Sequence, residues 1–204
     1  MTDRSIDKRT LLLEAAVRVF ARKGFHAARV GDVAEEAGVA YGLVYHYFRS
    51  KDELLETIFR ESWGRLVAVL ESLAATDKPA RERLRLVGST ILRSWRDDPD
   101  LVTVLVREIG RSPQLQDRIG ELRAVFVVIR GIVDDGQASG EFRSDLDPQL
   151  ATWIFYGGIE EILTGWVMGQ LPDGDDEVAR AEQTLLEVVC GGLAHDRTAA
   201  SVSA

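Results

Sequence analysis

Histidine, cysteine and paired carboxylates are the first places to look for chemistry in a chain of 204 residues, and here they are sparse and scattered. The histidines are His26, His46 and His195, and the one cysteine is Cys190. No spacing among them resembles a metal site, and no set of nucleophile, base and orienting group can be assembled from them. Glu160 and Glu161 stand in an apolar stretch, but consecutive helical residues do not face each other and make a poor acid-base pair. One of them reads better as a buried polar anchor or a ligand contact. A lone cysteine also excludes a disulfide framework or thiolate cluster within one chain. These residues argue against an enzyme, and no metal or cofactor is expected.

Binding chemistry is better represented. Residues 40 to 48 read AYGLVYHYF, with Tyr41, Tyr45, His46, Tyr47 and Phe48 packed into eight positions after the pair Gly38-Val39. A segment that only filled a core would use leucine and isoleucine, because tyrosine and histidine carry groups that need hydrogen-bond partners. Something polar should therefore lie against one face. The charge distribution points to what: residues 1 to 51 hold 9 Lys and Arg against 6 Asp and Glu, whereas the remainder holds 16 against 27. A net charge of −8 is wrong for coating nucleic acid, so a DNA-binding function must use the local, mildly basic head.

The elements that must position these residues are helices. Leu12, Ala15, Ala16, Val19 and Phe20 recur at helical spacing between Lys8 and Lys23, and Gly24 supplies a stop. Short helices are predicted over about 30 to 37 and 40 to 48, followed by a long one after Ser50, whose side chain can cap it with Asp52 and Glu53 in the first turn. Thr76 or Asp77 is placed to cap a fifth, with Pro79 at an early helical position. Further helices are predicted at about 80 to 96, 100 to 110, 114 to 138, 148 to 169 and 175 to 194, separated by the turn-rich stretches DDPD, RSPQ, QASGEFRSDLDP and QLPDGDD. No alternating stretch is long enough for a strand. The fold class is all-α with about nine helices, divided into a head at 1 to 51, a helical bundle at 52 to 195 and a flexible tail at 196 to 204.

The two short helices, joined by the tight Gly38-Val39 turn and supported by the first, make a helix-turn-helix. Val33, Val39, Val44 and Phe48 can face inward, and Tyr47 also reads as core. Tyr41, Gly42, Leu43 and Tyr45 are left to face base edges or phosphates in a major groove. The run from LLLEAAVRVFARKGFHAARVGDVAEEAGV through AYGLVYHYFRSKDELL resembles the TetR family of bacterial transcriptional regulators over about 45 residues. By that resemblance Tyr41, Gly42 and Leu43 lie on the base-facing part of the recognition helix, Ala40 is a DNA-binding position ahead of them, and Tyr45 and His46 face phosphates, although His46 is equally a solvated surface histidine. Lys51 would open the fourth helix beside the backbone. Arg29 stands where many relatives carry a phosphate-binding Thr or Ser, and a guanidinium is the stronger, charge-assisted donor. Gly31 leaves a base-reading position of the second helix without a side chain, and Ala40 replaces a frequent Ser.

The remaining three quarters would then be the sensor and dimer domain, binding a double-stranded, palindromic operator as a homodimer. Relatives build a four-helix interface from the last two helices, which here carry Gly157, Gly158, Gly165 and Gly191; a hinge or kink is the competing reading of those glycines. REIGRSPQL, DDGQASGEFRSDLDPQLA and GGIEEILTGWVM further resemble the branch of fatty-acid-degradation repressors, whose effectors are long-chain acyl-CoA thioesters. The resemblance makes Trp95, Leu105, Phe126, Ile129, Phe155, Tyr156 and Trp166 candidates for the acyl chain, and Arg107 or Arg111 for phosphate. Plain core for the apolar residues and solvated faces for the arginines are the alternatives. A repressor of lipophilic-drug efflux remains open, as does a helical lipid carrier that does not bind DNA. No signal peptide and no uncharged apolar run of roughly 18 residues is read, so the expected compartment is the cytoplasm and no membrane partner is implied.

Overall fold

The computed structural model describes residues 8–109 and 119–193, and among them every regular element is a helix. These are α1 (Lys8–Lys23), α2 (Val30–Glu36), α3 (Tyr41–Tyr47), α4 (Lys51–Ala74), α5 (Ala80–Asp97), α6 (Pro99–Glu108), α7 (Ile119–Ala138), α8 (Pro148–Val167) and α9 (Asp175–Leu193). The expected tail from 196, residues 114 to 118 of an expected helix, and Arg111 lie outside the described residues.

Contacts divide the chain into two compact units, Met1–Gly64 with Asp98–Ile119 and Arg65–Asp97 with Gly120–Ala204. The change of unit falls inside α4, and α6 groups with the N-terminal helices. In the first unit α1 packs on α2 and on α6, and α2 packs on α3. Leu12, Ala15, Ala16, Val19 and Phe20 from α1 are buried with Val33, Ala34, Val44, Phe48, Leu54, Leu55, Phe59, Val102 and Val104. Ordinary residues pay a steric penalty at positive φ, so glycine ends α1 at Gly24 (φ 79°) and makes the turn at Gly38 (φ 65°). The outer sides of α1 and α2 are tied by Arg18 and Arg22 on the Glu36 carboxylate, at 2.8 and 2.9 Å. Those hydrogen bonds hold the Glu36 carboxyl below the usual carboxylate range, as Lys23 and the backbone N–H of Arg29 do for Asp32.

In the second unit α5 packs against α8 and α9, which also pack on each other. Gly88 of α5 is buried against Phe155: a Cβ there would lie 3.2 Å from the ring. Asp98 caps α6, accepting from the Leu101 N–H, and Asp147 caps α8, accepting from Gln149 and Leu150; Pro99 and Pro148 follow them at the first helical position. Ser50 accepts from the Glu53 N–H at the start of α4, as its position suggests. The start of α5 departs from expectation. Glu141, 61 residues away, accepts from the N–H groups of Ala80 (2.7 Å) and Arg81 (2.8 Å), while Thr76 donates its hydroxyl to the Leu73 carbonyl. A carboxylate supplied by the tertiary fold does the job that local sequence assigned to Thr76 or Asp77.

Candidate nucleic-acid interface

The α2–turn–α3 pair presents its aromatics as their polarity requires. Val44 and Phe48 are buried and fix α3 on the core, while Tyr47, expected there too, is half-buried against the rings of His46 and Phe48. Tyr41 and Tyr45, one helical turn apart, are 56% and 47% exposed. Their rings meet edge to face with centroids 5.2 Å apart, and their hydroxyls are 3.1 Å apart in a hydrogen bond. Ala40, Gly42 and His46 are exposed and Leu43 half-buried, so α3 offers a continuous face carrying hydroxyls and short apolar groups. Gly31 lies beside it: a Cβ there would be in ordinary contact with the Tyr41 ring, 3.8 Å from Cε2. Arg29 caps the edge of this face with an exposed side chain, its N–H donating to Asp32.

Lys51 is placed differently from its expected role. Its ammonium donates to the carbonyls of Phe25 (2.8 Å), His26 (3.1 Å) and Ala28 (3.1 Å), and lies 4.6 Å from the Phe25 ring centroid. Three donors on three carbonyls make it a clamp on the α1–α2 connection.

The ligand candidates do not come together as one set. Trp95 stacks on Trp166 with centroids 6.3 Å apart, their indole N–H groups donating to Asp173 and the Pro172 carbonyl. Phe126 contacts Tyr156 with centroids 4.6 Å apart, and Ile129 and Phe155 are fully buried. Burial, then the charge of Glu160, pushes the Tyr156 hydroxyl well above its ordinary value. Leu105 and Arg107 belong to the first unit, where the Arg107 guanidinium donates to the Ala21 carbonyl at 3.0 Å. A cleft of about 530 Å³ in the second unit is lined by α5 and α9, with Arg81, Arg85 and Arg93 paired to Glu187, Glu82 and Glu182 over Leu186 and Cys190. None of the ligand candidates lines it.

Of the interface glycines, Gly158 and Gly165 are explained within the protomer, since a Cβ on either would come within 2.7 Å of Leu185 or Leu171. Gly157 and Gly191 face open space. Sequence reasoning missed what surrounds them: Leu150, Trp153 and Ile154 on α8, Met168 just past its end and Val188 on α9 are all more than half exposed, and the Trp153 ring lies tilted against Phe126 with centroids 4.6 Å apart. The spacing of Leu150, Ile154 and Gly157 was the available signal, a helical line distinct from the buried one and ending at the exposed Glu161.

A three-helix scaffold that buries one face of a short helix and leaves two tyrosine hydroxyls on the other has the architecture of a helix-turn-helix DNA-binding head. Residues 12–58 match the bacterial regulatory proteins of the tetR family, and residues 59–186 match the YsiA-like C-terminal region. The chain belongs to the TetR family. The fatty acid metabolism regulator protein of Bacillus subtilis is 32% identical over 184 residues, covering 89% of this chain and 93% of that protein. The HTH-type transcriptional repressor KstR2 of Rhodococcus jostii is 28% identical over 193 residues, covering 92% and 91%. Among solved structures, FadR from Bacillus subtilis in complex with stearoyl-CoA superposes with a TM-score of 0.79 at 31% identity, over 90% of this chain and 98% of that one. FadR from Bacillus halodurans gives 0.82 at 28% identity, over 95% and 100%. No helix among the described residues is long and apolar enough to cross a membrane.

Proposed function

We propose that this regulator represses fatty-acid metabolism genes from a palindromic operator and is released by a long-chain acyl-CoA. The observation that carries the reading is likeness along nearly the whole chain, sensor region included, to a regulator solved with stearoyl-CoA. On the DNA side Arg29, Ala40, Tyr41, Gly42, Leu43, Tyr45 and His46 form the contact face, and Lys51 supports it from behind. The acyl chain is assigned to the second unit, where the half-buried pair Phe126 and Tyr156 is the point of access, with Trp95, Ile129, Phe155 and Trp166 behind it. An effector acts by binding one of two states more tightly, and α4, which contributes to both units, is one of the three places where the chain passes between them. Two heads at fixed spacing require a dimer, and the exposed apolar residues of α8, with Val188 of α9, are the face for it. Such a protein works in the cytoplasm, where the chromosome is.

Fluorescence anisotropy on the protein's own promoter fragment, at fixed salt, tests this directly. Stearoyl-CoA is expected to release the DNA and free stearate is not, while Tyr41→Ala abolishes specific binding and leaves thioester affinity intact. Specific binding indifferent to both ligands would discard the acyl-CoA and redirect the search to other hydrophobic effectors.

A further inference from the structure

The tyrosine hydroxyls on α3 are joined, and that changes what they can read. In the Tyr41–Tyr45 hydrogen bond one of two hydrogens is consumed whichever residue donates, so the pair presents outward one donor hydrogen and one oxygen with free lone pairs, held side by side. Either hydroxyl can be the donor, and the outward pattern of one hydrogen beside one acceptor is the same in both cases. The two rings brace each other by their edge-to-face contact, so the hydroxyls lose less side-chain freedom on binding than two independent tyrosines would.

We infer that Tyr41 and Tyr45 act as a single bidentate reader of one adenine in each operator half-site. Adenine is the base whose major-groove edge places an acceptor, N7, next to a donor, the N6 amino group; guanine places two acceptors there, N7 and O6, which one outward hydrogen cannot satisfy. The hydroxyl that keeps its hydrogen would donate to N7 while the oxygen of the other accepts from N6. The surroundings favour the same base pair, since Ala40, Leu43 and the ring edges beside the hydroxyls are apolar and an A·T pair alone offers a methyl group to meet them. This assigns to Tyr45 a base contact in place of the phosphate contact that resemblance implies. The inference rests on α3 being the base-facing helix.

The test is binding of the full-length protein to its promoter operator and to single-position variants, including 7-deazaadenine in place of each adenine. One position per half-site is expected to lose roughly 5- to 150-fold in affinity when A·T becomes G·C, and to lose a smaller but clear part of it when only N7 is removed, since the N6 contact and the thymine methyl remain. Tyr41→Phe and Tyr45→Phe, which keep both rings and their packing, are each expected to erase that preference. Persistence of the preference in Tyr45→Phe, or indifference of the wild type to 7-deazaadenine, overturns the inference, as would a preference for G·C read across guanine O6 and cytosine N4. Failure of the underlying reading looks different: Tyr41→Ala would then leave specific binding intact.

Discussion

Lys51 carries the charge and stands at the place of a phosphate contact, yet its three donors are all taken by carbonyls of the α1–α2 connection. Burying a cation among carbonyls is worthwhile only if each donor finds a partner, and here each does. Lys51→Met should therefore lower the unfolding free energy by about 2 kcal/mol, seen as a lower urea midpoint. It should also leave the salt dependence of DNA binding unchanged, whereas deleting a true phosphate contact reduces the log-log slope by about 1. A reduced slope at unchanged stability would return Lys51 to the DNA. The tyrosines were more legible than the lysine. Their amphipathic chemistry predicts a half-wet position from composition alone, while a lysine's partners depend on which carbonyls the fold brings within reach, and nothing at positions 25 to 28 announces that.

At the scale of the element, starts and stops written in adjacent residues were readable: Asp98-Pro99, Asp147-Pro148, Ser50 with Glu53, and Gly24 all do what local chemistry suggests. The start of α5 was not, because its cap comes from Glu141. The same corner holds α7 close, since a Cβ on the buried Gly136 would lie 2.3 Å from Phe142 Cδ2 and 2.9 Å from Ala80 Cβ. Phe142 is 2% exposed and its N–H donates to the Gly136 carbonyl, so the ring has little room to retreat. Gly136→Ala is accordingly expected to destabilise the protein by about 1–3 kcal/mol despite alanine's better helix propensity, read from chemical denaturation. A rise in stability would mean that the α7–α5 corner adjusts freely. Gly158→Ala should be milder, because the clash there is with the end of a flexible leucine.

For the whole molecule, the apolar stripe of α8 is the feature that a single chain leaves unexplained. Ile154 is 66% exposed, so Ile154→Arg should alter protomer stability by less than about 0.5 kcal/mol. In a dimer closed through that stripe the same change buries two unpaired charges, and sedimentation velocity should show a monomer that no longer binds the full operator. A variant that sediments like the wild type would move the dimer contact elsewhere. The all-helical fold and the head's three-helix order could be read from periodicity and punctuation, but the allotment of α6 could not. Its position in the chain places it with the sensor, whereas its contacts place it on α1, a pairing fixed by side chains about 80 residues apart.

That pairing bears on how freely the head could be exchanged between proteins. With α6 laid along α1 and Arg107 donating to the carbonyl of Ala21 near the end of α1, the DNA-reading module is discontinuous in the gene, its last wall encoded after the first sensor helix. A graft or truncation ending at residue 64 would strip that wall and wet the side of α1 it covers; a recombination event that keeps the head working has to carry residues 98 to 109 along with it.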